Sequence, residues 1–397
     1  VRRAIAITCL LLAAVAAEAV DKRPVMLPGA NPNLPFSNAV WTGDLLYTAG
    51  TVGSVPGQGY PEGIEAQTRQ AFQNLERILH AAGVDLSRVV SVSVYLTDDR
   101  HYDGMNKVFK EVFPDPNKAP VRATVRTDLA SAAGLIEISL VAAREGVEIR
   151  HIQPDGWQTS GAGYAYGVQV GDTLFVAGLV SNDPAGGGIV GGDIGVQMRK
   201  ALENLDAVLK AAGMSAADVV QNRVFLRDGR DFQGMNEAYK TVFSGDHRAA
   251  RATVRAGIMH PDLRVEIASV AVRDSARRIA GDANPDSPLV PSVVAGKRQF
   301  LSGMTGRGPD GYTPGDVKAQ TRQAIARLKA TLEAAGLTLE DVVESTVFLT
   351  DIRHFGDMNE VYRELIPEPR PSRTTVGTAL MSPDALVEIM FVANAEK

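Results

Sequence analysis

Cysteine is all but absent from this chain of 397 residues, where Cys9 is the one thiol. Cys9 falls inside an N-terminal apolar run, so the rest of the chain has no Cys nucleophile, no Cys-ligated zinc and no disulfide. Aromatic residues are sparse at 6%. Neither sign of charge dominates: 41 Lys and Arg face 46 Asp and Glu, for a net charge of −5. No stretch is rich enough in Lys and Arg to form a nucleic-acid groove, which removes polyanion binding from consideration. The six histidines show no metal-ligand spacing, and no metal site is expected from them. Neither G-x-S-x-G nor a P-loop occurs. Gly306, Gly308 and Gly311 spell G-x-G-x-x-G, but Pro309 sits inside the match and the segment reads as a loop.

The most apolar stretch is short. Arg2 and Arg3 precede a run from Ala4 to Ala17, and Ala17-Glu18-Ala19 supplies the small residues of an A-x-A cleavage site. This is the pattern of a secretory signal peptide over residues 1–19, shorter than the roughly 20 residues a spanning helix needs. The expectation is an exported protein, periplasmic or secreted, with no membrane segment after processing.

What the chain does have is repetition. Residues 66–98, AQTRQAFQNLERILHAAGVDLSRVVSVSVYLTD, return as VQMRKALENLDAVLKAAGMSAADVVQNRVFLRD at 196–228 and as AQTRQAIARLKATLEAAGLTLEDVVESTVFLTD at 319–351. Self-similarity over this length fixes the architecture as copies of one domain. Three domains are expected over 28–145, 150–273 and 280–396, joined by linkers near 144–152 and 274–287. A hydrophobic content of 45% with 22% charged residues is that of a globular protein.

Each copy carries the same local signals. Gly43-Asp44, Gly171-Asp172 and Gly296-Lys297 stand between β-rich runs, as tight hairpin turns do. Phe72, Leu75, Ile78 and Leu79 recur at helical spacing, as do Leu202, Leu205, Val208 and Leu209. Gly83, Gly213 and Gly336 then stand where a left-handed residue closes a helix. The β-run VVSVSVYLTD alternates Ser with Val, which suggests one less buried face. Asp99, Asp228 and Asp351 open a short helix and read as N-caps rather than catalytic acids. Two strands finish the unit. The order β-β-α-β-α-β-β describes an α+β fold with two helices on one face of a sheet.

Arg122, Arg251 and Arg373 open the penultimate strand, and Glu137, Glu266 and Glu388 fall on the last one between apolar neighbours. Two readings of these pairs are open. One is a structural cross-strand ion pair. The other is a site where a guanidinium fork holds a substrate carboxylate and the glutamate orients water.

The phrases AQTRQA…NL…L.AAG and VV…V.L.D, the recurrent Met105-Asn106, Met235-Asn236 and Met358-Asn359, and the closing R-x-T-V…EI resemble the Rid family. These are the reactive intermediate (enamine/imine) deaminases, also called YjgF-like proteins. The resemblance covers nearly the whole chain beyond residue 19, three times over. It implies a chorismate mutase-like α+β fold in each domain. Because typical members are homotrimers with clefts at the subunit boundaries, it also implies an intramolecular pseudo-trimer, monomeric as a chain. It further implies that Arg122, Arg251 and Arg373 bind a substrate carboxylate and that Glu137, Glu266 and Glu388 are catalytic. The family's ligand-side aromatic aligns with Phe36, Tyr164 and Leu289. Gly50, Gly178 and Gly303 mark backbone that could approach a ligand.

The implied activity is hydrolysis of small 2-imino or enamine carboxylic acids to 2-oxo acid and ammonia, with no cofactor. A non-catalytic carboxylate-binding scavenger or sensor, and a chaperone-like interaction protein, are the competing readings.

Overall fold

A computed structural model describes residues 22–396 except 30, 32, 286, 309–310 and 312–314. The signal-peptide reading of residues 1–19 lies outside the described residues.

The repeat signals become elements where their chemistry placed them. Gly43, Gly171 and Gly296 adopt φ of 53°, 54° and 56° in two-residue hairpin loops, with Thr42 opposite Leu45 in the first. The long helices run Ile64–Ala81, Ile194–Ala211 and Val317–Glu333. Asp193 and Asp316 cap the second and third by accepting from the amides of Val196 and Ala319. Gly83, Gly213 and Gly336 close all three at φ of 82°, 71° and 77°. The apolar stripe of each helix packs on its own sheet, giving one core per repeat.

The short helices Tyr102–Val112, Phe232–Lys240 and Phe355–Leu365 each follow a 3-10 turn. Asp98, Asp228 and Asp351 cap those turns, accepting from the amides of Arg100, Arg230 and Arg353. In the first repeat the cap is therefore Asp98, one residue before the expected Asp99. Asp99 instead pairs with Arg126 at 3.2 Å.

Each sheet has one strand more than the sequence suggested. Lys22–Val25, Ile149–Ile152 and Arg278–Ala280 pair with the first hairpin strand of their own repeat. Two of these lie in the expected linkers, and the first precedes the expected domain start at 28. The first sheet runs in the order 22–25, 39–42, 45–48, 136–143, 89–96, 121–126. Val89–Leu96, termed the axial strand with Val219–Leu226 and Val342–Leu349, thus lies between the glutamate strand and the arginine strand. Its pairing is antiparallel to the former and parallel to the latter.

The sheets join one another in rotation. Gly257–Ile258 of the second repeat adds to the arginine strand Val121–Arg126 of the first. Asp128–Leu129 of the first adds to Ser372–Gly377 of the third. Val254 and Leu380 bridge the second to the third. Two further apolar clusters draw residues from all three repeats and form collars at the two ends of the shared centre.

Candidate functional site

Within one repeat the arginine and glutamate do not meet. Arg122 is in register with Val92 and Glu137 with Tyr95, so the axial strand and three residues of register separate them. Neighbouring strands are ~4.8 Å apart, which rules out a direct ion pair across an intervening strand. The cross-strand pair reading is thereby corrected.

The meeting happens between repeats. Arg122 of the first repeat and Glu266 of the second line one cavity of about 190 Å³, with Tyr102, Thr124, Tyr164 and Gly178. Arg251 of the second faces Glu388 of the third, each within the other's electrostatic reach. Arg373 of the third faces Glu137 of the first in the same way. The cycle of three clefts closes on itself.

Each guanidinium is held in one manner. Nη2 of Arg122, Arg251 and Arg373 donates to Oδ1 of Asn106, Asn236 and Asn359 at 2.7, 2.7 and 2.6 Å. Its plane stands over an aromatic ring of the short helix: Phe109 at 4.4 Å, Tyr239 at 4.5 Å and Tyr362 at 4.6 Å. A second ring on that helix, from Tyr102, Phe232 or Phe355, lies 5.8–6.0 Å away. Aromatic, Asn and aromatic are spaced i, i+4, i+7, so one helical stripe presents all three. The arginines are 2–3% exposed, and burial lowers their pKa, that of Arg373 to about 10. Nε of each, and Nη1 of Arg251, has no hydrogen-bond partner. A buried cation with spare donors is what an incoming carboxylate would satisfy.

The glutamates are equally short of water. Burial raises Glu137 to about 7 and Glu266 and Glu388 to about 8, against the opposing pull of the facing arginine. Glu266 Oε1 accepts from the backbone amide of Thr124 at 3.3 Å, across the repeat boundary. The backbone amide of Thr375 acts on Glu137 from the matching position.

The glycines also serve the glutamates. A Cβ on Gly50, Gly178 or Gly303 would lie 1.9–2.0 Å from the Oε1 of Glu137, Glu266 or Glu388. Each makes room for the carboxyl of its own repeat. In the second repeat the glycine sits in a bulge, where the register slips between Val176 and Leu179. The amides of Gly50 and Gly303 also bond the carbonyls of Arg373 and Arg251, tying the two halves of a cleft together.

The clefts differ at the aligned aromatic. Tyr164 stands 5.0 Å from the Arg122 guanidinium and Phe36 stands 5.3 Å from that of Arg373. The aligned Leu289 is 41% exposed. Sequence reasoning missed the asparagine and ring stripe, although the repeated Met-Asn was visible, and it missed His260, which lines the first cleft. No cluster of His, Cys, Asp or Glu suited to a metal occurs among the described residues.

The chain is similar to the family described as Endoribonuclease L-PSP over residues 29–144, 158–273 and 281–395. A RutC family protein of Pyrococcus horikoshii is 40% identical over 114 residues, which is 28% of this chain and 90% of that protein. Its counterpart in Pyrococcus abyssi is 39% identical over 111 residues, 28% and 87% of the respective chains. Among solved structures, a chorismatase covers 77% of this chain and 93% of its own at a TM-score of 0.54 and 13% identity, a likeness of fold. TdcF of E. coli, solved with bound serine, is 33% identical over 32% of this chain and 99% of its own, with a TM-score of 0.29.

Proposed function

Because the chain belongs to the Endoribonuclease L-PSP family, also known as Rid or YjgF, in each of its three repeats, we propose that it is a hydrolytic deaminase of small 2-imino or enamine carboxylic acids. The observation that carries the reading is the pairing, in every cleft, of a dehydrated guanidinium from one repeat with a dehydrated carboxyl from the next.

The arginine holds the substrate carboxylate through its free donors, with its position set by the asparagine and the ring beneath it. This places the imine carbon opposite the glutamate. The carboxylate form accepts a proton from water as its oxygen attacks that carbon. That proton passes to nitrogen, the carboxylate then carries the hydroxyl proton of the adduct to the same nitrogen, the C–N bond breaks as the carbonyl forms, and a 2-oxo acid and ammonia leave. A carboxyl titrating at about 7–8 is suited to both halves of this exchange near neutral pH. Imines are already electrophilic, so correct placement of water is the main demand. The first cleft, at about 190 Å³, is smaller than the ~300–1,000 Å³ common for drug-sized ligands, which favours a small acid over a nucleotide.

The test is ammonia release from imines formed in situ by an L-amino-acid oxidase. The protein is expected to accelerate release over buffer, and a folded Arg122→Ala, Arg251→Ala, Arg373→Ala variant to lose that acceleration. No acceleration across small and aromatic imines would overturn the reading. Saturable carboxylate binding without turnover would then identify a scavenger or sensor.

A further inference from the structure

The axial strands turn a polar face towards the shared centre of the three repeats. Successive same-side residues are Ser91, Ser93 and Tyr95 in the first repeat, Gln221, Arg223 and Phe225 in the second, and Glu344, Thr346 and Phe348 in the third. The first two of each set line a single cavity of about 40 Å³. Equivalent residues of three repeats can share one wall only around the axis that relates them. Tyr47, Phe175 and Phe300 line this chamber and belong to one apolar collar, and Tyr95, Phe225 and Phe348, the next same-side residues along the axial strands, belong to the second. Above the first ring, buried Arg298 donates to the Tyr47 hydroxyl at 3.3 Å and to that of Thr173. Beyond it the three hairpin turns surround a funnel of about 880 Å³.

The chamber breaks the threefold pattern in charge. It holds one arginine, one carboxyl and one amide. Arg223 lies within electrostatic reach of both Tyr95 and Glu344. Nε2 of Gln221, a side chain 7% exposed, has no hydrogen-bond partner. The wall therefore offers a guanidinium, a spare amide donor and the hydroxyls of Ser91, Ser93, Ser139 and Thr346, against one carboxyl. At ~10–15 Å³ for each water, the space takes about three waters and no amino-acid-sized substrate.

We propose that the axial chamber binds one small monovalent anion of halide size, held by Arg223 and the Gln221 amide, with Glu344 neutral while the anion is bound. An anion beside an ionised Glu344 would put two negative charges in one confined space against a single guanidinium, which the low dielectric of a protein interior makes costly. Anion uptake and proton uptake are thus coupled. The groups that face Glu344 are Arg223 on the second axial strand, Tyr47 on the first hairpin and Tyr95 on the first axial strand, with Arg298 behind Tyr47. Burial raises both tyrosines and Glu344, which leaves Glu344 as the group that changes charge. Anion affinity falls as pH rises. The site is separate from the three clefts and does not depend on their chemistry.

The experiment titrates bromide into the whole chain against gluconate, which is too large for the chamber, at constant ionic strength. Thermal unfolding is followed at pH 6 and pH 8, and bromide-soaked crystals are measured for anomalous scattering. Expected results are a saturable stabilisation stronger at pH 6, an anomalous peak beside Arg223, and no saturable effect in Arg223→Gln. Glu344→Gln should bind equally at both pH values. Should Arg223→Gln fail to fold, Gln221→Leu should bind bromide at least about tenfold more weakly, the worth of one hydrogen bond to a charged group. No difference between bromide and gluconate, no peak on the axis, or an effect that survives Arg223→Gln or Gln221→Leu would overturn the proposal.

Discussion

At the scale of the residue, the glutamates set two opposed pH trends over one window. Their folded pKa values of about 7 and 8 lie above the ordinary 4.5. The folded state therefore binds more protons than the unfolded one. Its share of stability from these groups is complete below about pH 4.5 and is lost as pH rises through 7–8. Turnover needs the carboxylate and should rise through the same range. Replacing Glu137, Glu266 and Glu388 together by Gln should cut kcat roughly 10²–10⁴-fold, abolish its rise between pH 6.5 and 8.5, and flatten the fall in Tm over that interval. A pH–rate profile and a melting series on one preparation read both trends. Gly178→Ala tests the space beside Glu266. A Cβ 2.0 Å from Oε1 must push the carboxyl aside, so in a chain carrying Arg251→Ala and Arg373→Ala the remaining turnover should fall at least about tenfold. Activity unchanged by that methyl would show that the carboxyl position does not matter.

At the scale of the element, the short helix is the arginine's mount. Replacing Asn106, Asn236 and Asn359 by Ala removes the acceptor that Nη2 of each arginine has among the described residues. KM for the imino acid should rise about tenfold, the worth of ~1.4 kcal/mol, with a smaller change in kcat; an equal fall in kcat alone would place the asparagines elsewhere in the mechanism. The elements themselves were largely legible. Gly-Asp turns, a helical stripe ending at Gly83, and aspartate caps are local chemistry, and local chemistry is written in adjacent residues. The extra strands were not, because KRPV, IRHI and RIA are too short and polar to carry a period. The polar face of VVSVSVYL was legible only as a less buried face; that Ser91 and Ser93 line the axial chamber was not. The partnership of Arg122 with Glu266 depends on how sheets pack around an axis, and no spacing along one repeat encodes it.

At the scale of the whole molecule, covalent linkage makes the association of the three domains intramolecular, so its strength no longer depends on protein concentration. Light scattering after size exclusion should give one chain mass, unchanged on tenfold dilution; a stable assembly of three chains would contradict the closed ring. The rotation of the contacts also decides how damage spreads. Each repeat lends its arginine to one cleft and its glutamate to another, as Arg122 serves with Glu266 while Glu137 serves with Arg373. A lesion that disables one repeat disrupts two clefts out of three. No repeat can drift towards a new substrate alone, because every cleft is inherited from two parents.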